Sequence, residues 1–226
     1  MNGLTVSALG VRIRLRFHED APAAVRKTVA QAWADATLPH DTGYDVSLHV
    51  PQQDHDKALE NLSSLVTYQA LRFHRGKKHL FHAAGVADSA GRVVAFVGPS
   101  GAGKTSLSRV LGRHHGYVSD ETVAVDDDLS VLPYRKPLSL VREGSPKQQV
   151  APSALGLKNL PEAPLQLDRI VLLDRQETFE GYELEPVPLV EAITFLLQQM
   201  SFTKEFSVAS SSVVYGISGD RLPKEG

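Results

Sequence analysis

The sequence predicts a mixed α/β protein in two parts, a small α+β module over residues 1–76 and a larger domain with a P-loop core and a mixed sheet over 77–226. Three observations predict it. A period-two stretch followed by helical patterns fills the first part. A continuous apolar strand at Arg92–Val97 runs into a glycine-rich turn and then a helix. A short return strand delivers two adjacent acids, Asp120 and Glu121. At 226 residues the chain accommodates one α/β-sized domain or a small module fused to a compact core, and two unrelated large domains would not fit.

Composition narrows the class of partner. Hydrophobic residues at 42% and charged residues at 22% are those of an ordinary globular protein with a real core. A formal net charge of -2, without basic tails or patches, gives no reason to expect nucleic acid or an anionic membrane as the main partner. Having no cysteine, the chain excludes disulfides, iron–sulfur clusters and thiolate chemistry, which suits a reducing interior. No apolar run reaches the length of a membrane span and the N-terminus lacks a signal peptide's apolar region, so the expectation is a cytoplasmic protein with no membrane partner.

Taken in order, Val11, Ile13, Leu15 and Phe17 alternate with Arg12, Arg14 and Arg16, as in a half-buried strand whose arginines share a solvated face. Residues 21–36 read as a helix, 44–50 as a strand and 56–74 as a second helix burying Leu59, Leu62, Leu65, Val66 and Ala70. Nothing in this module carries obvious chemistry. The second part begins with strands over 80–87 and 92–97, the latter central. A helix follows over about 104–113, then a short strand over 116–119 and a hairpin over 122–134 turning at Asp126, Asp127 and Asp128. Consecutive side chains in a tight turn rarely converge on one ion, so the three aspartates read as a solvated turn. Residues 142–167 read as a loop-rich connection, either a substrate lid or a linker. A strand over 168–173 and a helix over 188–200 follow, the helix burying Leu189, Ala192, Ile193, Leu196, Leu197 and Met200. Residues 212–218 read as a final edge strand.

The residues Gly98, Pro99, Ser100, Gly101, Ala102, Gly103, Lys104 and Thr105, with Ser106 after them, meet every required position of G-x-x-x-x-G-K-[ST] between an apolar strand and a helix. Such a loop turns backbone N–H groups inward around phosphates, in conformations that a Cβ would obstruct. Lys104 is expected to reach the β- and γ-phosphates of ATP, Thr105 to present its hydroxyl to Mg²⁺, and the helix N-terminus to add its dipole. The same loop resembles those of transporter ATPases and guanylate kinase. The former require an LSGGQ-like segment and a distant strand ending in Asp-Glu, the latter a loop near the N-terminus and a TTRxPRxGE-like stretch, and the chain has none of these.

The stretch between Lys104 and Asp120 allows only one short helix and a returning strand, so Asp120 ends a strand beside the loop. There it can hold Mg²⁺ opposite Thr105 or accept the proton of an attacking hydroxyl. Glu121 is a second acid. Adjacent strand residues point to opposite faces, so one carboxylate is expected at the phosphates and the other turned away unless the strand has ended. With His82 on the preceding strand and Tyr117-Val118-Ser119-Asp120-Glu121-Thr122-Val123 after the helix, residues 80–125 resemble the core of the HPr kinase/phosphorylase family. The resemblance implies a mixed-sheet P-loop kinase fold, Asp120 as catalytic base with Glu121 in place of the family's second aspartate, and His82 beside the acid.

Two departures limit what the resemblance implies. The family's arginine-rich VRPGR-like segment has only Glu185-Pro186-Val187-Pro188-Leu189 as its counterpart, which points to a kinase without the phosphorolytic activity. The N-terminal module does not resemble the family's larger one, so HPr need not be the acceptor. The compact size and the lost arginine segment resemble the branch that phosphorylates the C-terminal serine of lasso-peptide precursors. The shared expectation is a peptide or small-protein acceptor carrying a serine, with Arg135, Lys136, Arg142 and Lys147 as candidate anchors for its anionic groups. A small-metabolite kinase and a nucleotide-sensing module without transfer are the alternatives. A homo-oligomer is left open.

Overall fold

The computed structural model describes residues 3–40, 42–52, 55–142, 144–175, 181–201 and 214–219. In chain order the elements are β1 (Gly3–Ala8), β2 (Val11–Arg16), α1 (Ala23–Ala32), β3 (Val46–His49), α2 (His55–His74), β4 (His79–Ala87), β5 (Arg92–Val97), α3 (Lys104–Leu111), β6 (Gly116–Ser119), β7 (Thr122–Val125), β8 (Val131–Leu132), β9 (Leu138–Arg142), β10 (Ser145–Val150), β11 (Gln166–Asp174), β12 (Tyr182–Pro186), α4 (Leu189–Gln198) and β13 (Val214–Gly219). Among the described residues no helix is long and apolar enough to cross a membrane. Two compact units emerge, one of Met1–Phe73 with Pro133–Gly156, the other of His74–Leu132 with Leu157–Gly226. The sequence places one boundary near residue 76; in the structure residues 133–156 group with the first unit.

In the first unit β1, β2 and β3 form a sheet in that order, β1 antiparallel and β3 parallel to β2. Val11, Ile13 and Leu15 are buried, while on the opposite face Arg12 pairs with Asp45 at 2.7 Å, Arg14 donates to Thr5 Oγ1 at 3.0 Å and Arg16 to Tyr44 at 2.9 Å. The arginines are engaged as a strand face. Strand β1 is an addition to the sequence reading, which began the sheet at Val11. Helix α2 buries Leu59, Leu62, Val66 and Ala70 as expected, but Leu65 is 40% exposed, because it sits about 100° around the helix from Val66 and off the buried stripe. The stretch expected to be a loop from residue 142 is partly regular: β9 and β10 form an antiparallel hairpin around Gly144. Its polar residues hid it, because they are satisfied inside the unit, Ser63 donating to Gln149 Oε1 at 3.0 Å and Gln149 donating to Ser139 Oγ at 2.9 Å.

The second unit is built on one mixed sheet in the order β12-β13-β11-β5-β4-β7-β8, with β6 also pairing β4. β11 lies between β13 and β5 and is parallel to both, and β4 runs antiparallel to β5. Their apolar runs suit a sheet covered by side chains on both faces, and Ala83, Val93, Ala95, Val97, Val118, Val123, Ile170, Leu172, Ala192 and Leu196 share one core cluster. β13 lies between β11 and β12, so the expected edge strand is an inner one and β12 is the edge; residues 212 and 213 of that expectation lie outside the described residues. Helix α4 turns Ala192 and Leu196 into the core, but Leu189 is 57% and Leu197 41% exposed, so the buried stripe is narrower than the sequence periodicity predicts. The three aspartates take separate partners: Asp126 pairs with Lys78, Asp127 lies 3.5 Å from His79, and Asp128 caps the Ser130 N–H at 2.9 Å.

Candidate functional site

Strand register brings the sequence-predicted residues together. β4 is flanked on one side by β5, with Ala83 opposite Val97, where the chain leaves the sheet for the 98–103 loop. On its other side β6 and β7 lie in series along the same strand, Gly85 opposite Ser119 and His82 opposite Thr122. Asp120 and Glu121 occupy the break between those two pieces. Ser119 makes the break, its Oγ accepting the N–H groups of Glu121 and Thr122, both at 3.2 Å. Three consecutive residues of β4, His82 to Ala84, therefore separate the loop's exit from the acids.

The loop has the shape of an anion cradle. Gly101 and Gly103 adopt positive φ, 85° and 90°, and a Cβ added to either would meet nothing within 4 Å, so the backbone borders open space. Gly103 caps α3, whose first N–H groups have no intrahelical partner. α3 ends at Leu111, a little before the expected 113, and is capped by Gly112, whose N–H donates to Ser108 O at 2.8 Å. Lys104, only 6% exposed, folds its ammonium onto the loop, donating to Gly98 O at 2.6 Å and Pro99 O at 2.7 Å. Burial pushes its pKa down, and the Asp120 carboxylate opposes that.

Asp120 is buried and points at α3. Its Oδ2 accepts from Thr105 Oγ1 at 3.1 Å and its Oδ1 from the Tyr117 hydroxyl at 3.0 Å. Glu121 is half-buried and its carbonyl faces His82, with Nδ1 to O at 3.1 Å. A carbonyl only accepts, so Nδ1 carries the proton and in the neutral ring Nε2 is the acceptor. Burial first, then the Lys104 cation, lowers the His82 pKa, while Glu121 and Asp120 pull the other way. The backbone of His82 is pinned by its N–H to Gln199 O at 2.7 Å, and the next N–H, of Ala83, donates to Glu121 O at 3.1 Å.

Lys104, Thr105, Asp120, Glu121 and His82 thus converge, with the open loop beside them. Sequence reading missed two neighbours. Tyr117 stands in the motif before Asp120 with no role assigned from sequence, and a fully buried tyrosine needs a partner for its hydroxyl. Arg175 follows β11, whose parallel pairing with β5 brings the two strand ends together, and its Nη1 lies 3.4 Å from Gly101 O. Of the anchors considered for an acceptor, which belong to the first unit, Arg135 is buried against Asp35 at 3.4 Å and Lys147 sits 3.8 Å from Glu60. A cleft of about 320 Å³, lined by Val86, Arg92, Phe96, Leu111 and Arg169, contains none of the converging residues.

The donor set fits a nucleotide-bound metal better than an all-protein one. No group of three or more His, Asp or Glu side chains placed to hold an ion occurs among the described residues. Thr105 and Asp120 offer one hydroxyl and one carboxylate, and Mg²⁺ sites that use substrate phosphates and water need no more from the protein.

No family model matches the chain. Among curated proteins it is similar to ABC transporter G family member 25 of Oryza sativa subsp. japonica, 37% identical over 107 residues. That alignment takes in 41% of this chain and 11% of the rice protein, so only a small part of the relative's length is spanned. Among solved structures it is similar to the HPr(Ser) kinase/phosphatase from Coxiella burnetii, at 15% identity and a TM-score of 0.34, over 64% of this chain and 81% of that one.

Proposed function

We propose that the chain is an ATP-dependent phosphotransferase that acts on a serine hydroxyl of a peptide or small protein in the cytoplasm, without the reverse phosphorolytic reaction. The observation that carries the reading is the 3.1 Å contact between Thr105 and Asp120 at the mouth of a loop whose two positive-φ glycines border open space. A motif that only mimicked a phosphate loop would not require a buried carboxylate to meet its terminal hydroxyl. The resemblance of residues 80–125 to the HPr kinase core supports the choice of acceptor.

In this reading the N–H groups of 100–106 and the Lys104 ammonium receive the nucleotide phosphates, which draws Lys104 away from the Gly98 and Pro99 carbonyls it now holds. Thr105 and Asp120 would hold Mg²⁺, which when bound neutralises charge developing on the transferred group. Both Asp120 oxygens accept hydrogen bonds, which suits the metal side of the site. Proton acceptance from the serine then falls to half-buried Glu121, beside the neutral His82.

Incubation with Mg-ATP and serine-containing peptides or small proteins, read by mass spectrometry, tests this. The expected result is phosphate on serine, abolished in Lys104→Ala and reduced at least a hundredfold in Glu121→Gln. Transfer to small hydroxylated metabolites alone, or ATP binding with no transfer to any acceptor, overturns the serine-kinase reading.

A further inference from the structure

The geometry points to Tyr117 as a positioning residue of this site: its hydroxyl holds the Asp120 carboxylate so that the other oxygen faces Thr105. The inference rests on the reading of the loop as an Mg-ATP site. A carboxylate only accepts, so the phenol is the donor of the 3.0 Å bond to Oδ1, as Thr105 is of the 3.1 Å bond to Oδ2. Each oxygen thus has its own hydroxyl. Asp120 stands just past the end of β6, in the turn made by Ser119, where no ladder neighbour fixes its rotation. Without the phenol, Oδ1 would lose this donor and the carboxylate would be held less firmly in the plane that faces Thr105.

Tyr117 is built to do this. It is fully buried, and its backbone N–H donates to Lys158 O at 3.2 Å while the Lys158 N–H donates to Gly112 O at 2.8 Å, tying strand, helix end and returning chain together. Its ring lies under α3, where the absence of a side chain at Gly112 leaves it room: a Cβ there would come within 3.3 Å of Tyr117 Cδ2. A phenylalanine would fill the same space. If packing were the only demand on position 117, the hydroxyl would be a burden, since a buried hydroxyl needs a partner. Instead it reaches the acid that meets the phosphate loop's threonine.

The test is calorimetric binding of ATP to the full chain across a Mg²⁺ titration, for the parent, Tyr117→Phe, Asp120→Asn, the double variant and Tyr134→Phe. Tyr134 is the control for loss of a buried tyrosine hydroxyl, since its own is 2.7 Å from Thr67 Oγ1 in the first unit. We expect Tyr117→Phe to raise the Mg²⁺ concentration for half-maximal ATP binding about tenfold or more, the usual scale for losing a residue that orients a metal ligand. Binding of metal-free ATP stays within about twofold, the change disappears in the Asp120→Asn background, and Tyr134→Phe keeps the parent's Mg²⁺ dependence. An unchanged Mg²⁺ requirement in Tyr117→Phe, an equal loss in the Asp120→Asn background, or an equal loss in Tyr134→Phe overturns the assignment. Should Tyr117→Phe unfold, 3-fluorotyrosine placed at 117 changes the donor without changing the ring's packing. The Mg²⁺ requirement should then move, and no movement overturns the assignment. A parent chain that binds no ATP overturns the loop reading and this one together, whereas a parent that binds Mg-ATP but transfers nothing sinks only the kinase reading and leaves the Tyr117 comparison decisive.

Discussion

Replacing Lys104 by methionine keeps the apolar stem and removes the ammonium, and two opposing terms decide the outcome. The variant loses two charge-assisted hydrogen bonds, to Gly98 O at 2.6 Å and Pro99 O at 2.7 Å, each worth about 1.5–3 kcal/mol. Against this, a side chain only 6% exposed no longer keeps a cation out of water, a cost of several kcal/mol for a buried ion. Burial is the cause that lowers the Lys104 pKa, and Asp120 only partly opposes it, so the desolvation side is the heavier. The free protein should therefore change in stability by no more than about 1 kcal/mol on urea unfolding. A folded pKa below the unfolded one also means that the parent's stability rises with pH through the window below about 10.5, a rise the variant lacks. Nucleotide binding should behave quite differently. A unit charge about 4 Å from a phosphate charge is worth about 4 kcal/mol at an effective dielectric of about 20, so ATP affinity measured by calorimetry should fall about a thousandfold. A stability loss above about 3 kcal/mol would make the ammonium a strut of the loop, and ATP binding kept within about tenfold would remove the loop from the phosphates.

Two further outcomes follow from packing and charge. His82 is depressed by burial and by Lys104, so its imidazole should titrate below about 6.5 by NMR and move back towards that value in Lys104→Met; a value at or above 6.5 in the parent contradicts the described site. Because its folded pKa lies below the unfolded one, stability falls as pH drops through about 6.5 towards the folded value, and His82→Asn should flatten that fall. On α4, Leu196→Ala should cost about 2–4 kcal/mol while Leu189→Ser costs under about 0.5 kcal/mol, since the first is 4% and the second 57% exposed; equal costs in urea unfolding would show the helix to be docked on a different face.

What could be read from the sequence was whatever depends on local spacing. The loop and its flanking strand and helix are one contiguous motif, and the short helix after Lys104 leaves room for little but a short strand that delivers Asp120. The ordering of His82 and Glu121 beside one another needed register as well, with His82 opposite Thr122 and Gly85 opposite Ser119, which no single segment encodes. Residues 138–150 hid a hairpin because their polar side chains are satisfied within the unit by Ser63 and Ser139, so no hydrophobic alternation announced it. The place of β13 between β11 and β12 is a matter of pairing over long stretches of chain, and its sequence reads equally well as an edge strand. Leu65, Leu189 and Leu197 show the converse error. Apolar residues near a buried stripe were counted into it, although the stripe is set by whatever packs opposite.

The way the chain crosses between its two units also bears on how it is made. Residues 133–156 interrupt the second unit to complete the first, and only afterwards does Leu157–Lys158 return to clamp Gly112 and Tyr117. During synthesis, therefore, the phosphate loop and its helix emerge long before β11, the parallel neighbour of β5, and before the strap that holds the tyrosine beneath α3. A ribosome-bound chain halted before residue 157 would carry the complete motif without β11 and without the strap that holds Tyr117. If the loop binds nucleotide as proposed, that affinity should arrive only after residues 157–174 have been made.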